Sequence, residues 1–177
     1  MSITPDDKDW TWVLERPCPE CGYDARGVSG HDVPMRLREQ VPLWNEALSA
    51  SSAAVRSDPS TWSTLEYACH VRDVCTLFSD RLQLMLTDDD AQFANWDQDV
   101  TAVAEQYAKQ APLAVAAELA SAAEMIATDF DRVAPGAWVR TGRRSDGAVF
   151  SVETFARYFL HDVVHHGWDV TKAATKG

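Results

Sequence analysis

Phe159-Leu160-His161-Asp162-Val163-Val164-His165-His166-Gly167-Trp168 holds three of the chain's five histidines within six residues. On a helix each residue turns about 100°, so residues four apart stand about 40° from one another on one face. His161 and His165 are such a pair. His166 follows five residues after His161, about 140° round the helix, and is the alternative to His165. Two imidazoles one turn apart make two-thirds of a three-histidine metal site. Phe155, Phe159, Val163 and Val170 mark one side of this helix, and Ala156, Leu160, Val164 and Trp168 widen the apolar arc past half the circumference. A helix this apolar is buried on most sides. It is expected over about residues 152–172, capped by Ser151, with Asp169 as an acceptor behind His165.

Three further bundle helices and one short helix can be read. One starts at Asp32, with Pro34 in its first turn, and has Val33, Leu37, Val41, Trp44 and Leu48 on one face. Pro42 inside it predicts a kink. The next opens on Ser63-Thr64-Leu65-Glu66, a capping box, and its inner face runs Tyr67, Val71, Val74, Leu77, Leu82 and Met85. His70 lies on that face. A lone histidine there is ordinarily a neutral core residue satisfied by a carbonyl or hydroxyl, but a second helix carrying a histidine pair makes it the third ligand. A short helix is expected from Asp97 through Val100, Val103 and Tyr107, broken at Gln110-Ala111-Pro112. A longer one then has Val115, Leu119, Ala122, Ile126 and Phe130 inward. The expected fold is therefore all-α, a four-helix bundle over residues 31–177 behind an irregular arm at 1–30. Trp10, Trp12, Val13 and Leu14 should anchor that arm to the body. Trp138-Val139 and Ala148-Val149-Phe150, flanking the turn Ser145-Asp146-Gly147, predict a small hairpin before the last helix.

Among 177 residues, 16 lysines and arginines stand against 27 aspartates and glutamates, a net charge of −11. Only Arg140, Arg143 and Arg144 cluster, so nucleic acid is excluded as a partner. No apolar run approaches the ~20 residues that cross a membrane. The N-terminal MSITPDDKDW lacks the plan of a signal peptide, so a cytoplasmic location is expected. The three arginines are either solvated loop charges or an anion site at a pocket mouth. Cys18-Pro19-Glu20-Cys21-Gly22 is half of a tetrahedral zinc site. Without a second CxxC, its ordinary reading is an incidental thiol pair, and its sharper reading a local structural or redox role.

Trp62-Ser63, Glu66-Tyr67 and His70, followed by His161-x-x-x-His165 and Trp168-Asp169 in this order, resemble the DinB-like superfamily over about residues 31–175. That superfamily includes YfiT-type metal-dependent hydrolases, bacillithiol S-transferases and the N-terminal domain of mycothiol-dependent maleylpyruvate isomerases. The resemblance implies a DinB-type bundle with a long crossover and a divalent metal, zinc or nickel, on His70, His161 and His165. In the isomerase-like members the first ligand of the last helix is a glutamate. This chain has His161 there and so looks more like the three-histidine branch. The expected activity is a thiol-dependent S-transferase: the metal activates a low-molecular-weight thiol, which attacks a small electrophile, and Arg140, Arg143 or Arg144 holds an anionic group. The alternatives are a metal-dependent hydrolase, with Asp73 or Asp97 as base, and a non-catalytic metal-binding bundle. A homodimer stands open beside a monomer.

Overall fold

A computed structural model describes Ile3 and residues 9–174, with no account of the side chains of residues 173 and 174. Residues 1, 2 and 4–8 of the expected arm, and 175–177 of the expected bundle, lie outside the described residues. Helices are α1 (Val33–Ser49), α2 (Thr64–Thr87), α3 (Gln98–Ala104), α4 (Pro112–Asp131) and α5 (Val152–Ala174). The strands are β1 (Ala91–Gln92), β2 (Thr141–Arg143) and β3 (Val149–Ser151).

The four long helices follow the apolar periodicities. α1 and α2 each pack mainly on α4 and α5, so helices consecutive in sequence stand across the bundle rather than side by side. The return from α2 to α4 runs through β1 and α3, which is the long crossover. The α2 start is the predicted capping box. Ser63 Oγ accepts from the Glu66 N–H at 3.3 Å, and Glu66 Oε2 accepts from the Ser63 N–H at 2.8 Å. Arg56 closes on the same carboxylate, its Nε donating to Oε2 at 2.8 Å. α1 runs through Pro42 as one helix. Asp32 precedes it without capping it. Its carboxylate instead accepts from Ser29 N–H and belongs to the 3-10 turn Gly30–Asp32.

Two expectations are corrected. The hairpin strands lie further along than Trp138-Val139 and Ala148-Val149-Phe150, because Trp138 leaves the 3-10 turn Pro135–Ala137 and its ring stacks on Phe130. β1 has no counterpart among the elements read from sequence. It pairs in parallel with β2, Ala91 opposite Gly142, so the sheet has three strands in the order β1-β2-β3. Gly142 is required at that crossing, since a Cβ there would stand 2.4 Å from the Phe93 ring and 2.8 Å from Met85. The short helix also divides: α3 ends at Ala104, Gln106 takes φ 52°, and Tyr107 begins a separate 3-10 turn that buries its ring. The arm packs on the body, with Val13 and Ala25 fully buried. No helix of the described residues is long and apolar enough to cross a membrane.

Candidate metal centre

α5 contributes four possible ligands in sequence, and its rotation sends them two ways. His161 and His165 face the arm, where their ligand atoms gather with the thiols of Cys18 and Cys21. Asp162 and His166, each one residue further and therefore about 100° round, face α2 and gather with His70. In both groups all the candidate donor atoms lie within 4.8 Å of one another. The structure thus divides the three histidines read from the sequence: His161 and His165 stand together, and His70 stands with Asp162 and His166.

His70 is 1% exposed, between the rings of Trp62 and Trp96 at 5.3 and 5.6 Å and edge-on to His166 at 4.8 Å. Neither of its ring nitrogens has a hydrogen-bond partner among the described residues, nor does Asp162 Oδ1. His70 Nε2 lies 3.4 Å from Asp162 Oδ1, and His166 Nε2 lies 3.8 Å from the same oxygen. Charge-assisted hydrogen bonds run to about 2.7–2.9 Å. The donors of an ion bound at about 2.1 Å stand about 3.0–3.4 Å apart, which is closer to what is seen. Burial lowers the His70 pKa below the ordinary histidine value despite Asp162 beside it. Burial pushes the Asp162 carboxyl upward, but His70 first, then His166 and His161, hold it at about 2. At neutral pH the group therefore sets a carboxylate beside a neutral His70 imidazole, the protonation states in which these two bind a divalent cation. His166 Nδ1 lies 3.1 Å from Asp169 Oδ2, which leaves Nε2 directed at the cluster. Asp169 thus serves His166 more closely than His165, whose Nε2 is 3.9 Å away.

The donor set opens on a cavity of about 480 Å³ whose walls include Asp162, His166, Phe78, Tyr158, Arg81 and Arg144. Of the three arginines singled out by sequence, Arg144 alone lines it. Its Nη1 donates to the Tyr158 hydroxyl at 3.0 Å, and it also pairs with Asp146. Arg140 is turned away, its Nε donating to the Met85 carbonyl at 2.6 Å and its Nη2 to that of Asp88 at 2.9 Å. Arg143 pairs with Asp90. Arg81 was missed by the sequence reading. It donates to the Ala94 carbonyl at 3.0 Å, lies over the Phe93 ring, and has no carboxylate within ion-pair distance among the described residues. Burial, with Arg144 nearby, lowers its pKa to about 10. The candidate bases are otherwise engaged. Asp73 holds Arg72 and the Tyr107 hydroxyl, and Asp97 Oδ1 caps α3.

No family model matches the chain, and no curated protein matches it. Among solved structures it is similar to YfiT from Bacillus subtilis, with a TM-score of 0.65 and 15% identity over 99% of this chain and 93% of that one. The chain has the fold of YfiT. YfiT is described as a probable metal-dependent hydrolase with an unusual four-helix bundle topology. The likeness is one of fold, with helices consecutive in sequence standing across the bundle in this chain.

Proposed function

We propose that the protein is a metal-dependent hydrolase of small anionic substrates, with the ion on His70, Asp162 and His166. The single observation behind this reading is that Asp162 Oδ1 and both His70 ring nitrogens, buried without hydrogen-bond partners among the described residues, gather with His166 where Asp162 and His166 line an open cavity. Three protein donors leave coordination positions free, and a divalent ion so held supplies Lewis acidity that lowers the pKa of a water or thiol it binds. The chain's own groups do the rest. Asp169 orients His166. Trp62 and Trp96 keep water from His70. Arg81, without a carboxylate partner, binds an anionic group of the substrate, and Arg144 positions the Tyr158 hydroxyl beside it.

Asp162 in place of His161 puts a carboxylate first on the last helix, as the resemblance describes for isomerase-like members, rather than a third histidine. Thiol transfer is the second reading. It is favoured by the cavity's size, which falls within the range of small-molecule sites and leaves room for a second reactant. The test measures turnover of aryl ester and amide panels, with and without added thiol, on zinc- and nickel-loaded protein. Hydrolysis that needs metal but no thiol is the expected result, and His70→Ala should remove it. Turnover only with thiol and an electrophile would replace the first reading by the second. Full rate from chelated protein would end both.

A further inference from the structure

The other half of α5 lies outside that reading. Cys18 and Cys21 sit on a tight knuckle of the arm: the Gly22 N–H donates to the Cys18 carbonyl at 3.0 Å, the Cys18 N–H donates to the Tyr23 carbonyl at 2.8 Å, and Gly22 takes φ +75°. That left-handed backbone suits glycine, and it turns both thiols toward α5. There they meet His161 and His165, one helical turn apart. Cys18, His161 and His165 are 1%, 3% and 7% exposed. His161 Nε2 is buried without a hydrogen-bond partner among the described residues. The Trp10 ring lies over both imidazoles at 5.3 and 4.9 Å.

From this arrangement we infer that Cys18, Cys21, His161 and His165 form a second, structural zinc site that fastens the N-terminal arm to α5. Two thiolates and two imidazoles are the donor set of closed tetrahedral zinc sites. The distance fits as well. Cys18 Sγ lies 3.6 Å from His165 Nδ1. The sulfur-to-nitrogen edge of a zinc tetrahedron, with Zn–S about 2.3 Å and Zn–N about 2.0–2.1 Å, is also about 3.6 Å. Four protein ligands leave no position for substrate, so this ion holds structure and does no chemistry. Its sequence signature is divided: a CxxC near residue 20 supplies one half, and an HxxxH some 140 residues later supplies the other. By fixing the rotation of α5, the zinc holds Asp162 and His166 toward His70.

The experiment counts zinc per chain in untagged protein and records the spectrum after cobalt substitution. The wild type is expected to show thiolate-to-cobalt charge transfer in the near ultraviolet. Cys18→Ser/Cys21→Ser should lose that band together with one zinc per chain, whereas His70→Ala should keep the band. If the double variant does not fold, wild-type protein is titrated with an organomercurial and a zinc indicator, and one zinc should be released as the two thiols react. Unchanged zinc content in the double variant, mercurial titration without zinc release, or isolation of Cys18 and Cys21 as a disulfide from zinc-replete cells would overturn the inference. Loss of zinc in His70→Ala bears only on the hydrolase reading, so the two sites fail separately.

Discussion

Asp169 is the residue on which both donor sets of α5 converge, since its Oδ2 lies 3.1 Å from His166 Nδ1 and 3.9 Å from His165 Nε2. An acceptor behind a metal-binding imidazole fixes its tautomer and raises its basicity. Asp169→Asn keeps the size and loses the charge, and zinc affinity by competition with a chelator should fall about 10–100-fold. An unchanged affinity would show that Asp169 only decorates the helix. Glu66 makes a different residue-scale case. Burial alone would raise its pKa, but Arg56 and the Ser63 N–H and hydroxyl bring it below the ordinary 4.5. A folded pKa below the unfolded one means that the stabilisation is complete above pH 4.5 and is lost as pH falls through the lower folded value. Glu66→Gln should therefore cost about 1–3 kcal/mol at pH 7, with the gap in unfolding free energy closing on acidification below pH 4.5. Urea unfolding of both proteins across pH reads this directly.

Among the elements, α5 carries most of what was legible and most of what was not. Its length, burial and cap follow from apolar spacing and Ser151, whose Oγ accepts from the Thr154 N–H at 3.1 Å. Phe159 was read as core and is fully buried against Phe78 and Phe130. Phe159→Ala should cost about 3–5 kcal/mol in chemical denaturation. Which i, i+4 pair of α5 faces α2, 161/165 or 162/166, was not legible. The helix is apolar round more than half its circumference, so periodicity does not fix its rotation, and pairs at 161/165 and 162/166 satisfy the same i, i+4 rule. Asp162 went unread because a carboxylate between two histidines looks like helix surface until the packing of α2 is known. β1 was illegible for a similar reason: two residues in a parallel ladder owe their pairing to a partner fifty positions away, with no local alternation to mark it. The capping box, by contrast, is a contact three residues long and was read outright.

At the scale of the whole molecule, the net charge of −11 and two clusters of deprotonated or thiol ligands make the fold a natural host for divalent cations. The arm-to-α5 site joins segments 147 positions apart, from Cys18 to His165, so an ion there closes a very long loop, and a binder of the folded chain alone stabilises it by mass action. At free zinc one hundred times the dissociation constant, that amounts to about 2.7 kcal/mol. For a chain of this size each kcal/mol moves the melting temperature by about 2–4 °C, so zinc should raise it by about 5–11 °C over chelated protein. The two sites separate by variant. Cys18→Ser/Cys21→Ser should abolish most of this shift, because it frees the arm. His70→Ala should leave most of it, because His70 and α5 are already held together by the bundle core. Differential scanning calorimetry with zinc and with chelator measures both. A shift that survives the cysteine variant and vanishes with His70→Ala would place the stabilising ion between α2 and α5, and the arm would then owe its position to Val13, Ala25 and the tryptophans alone.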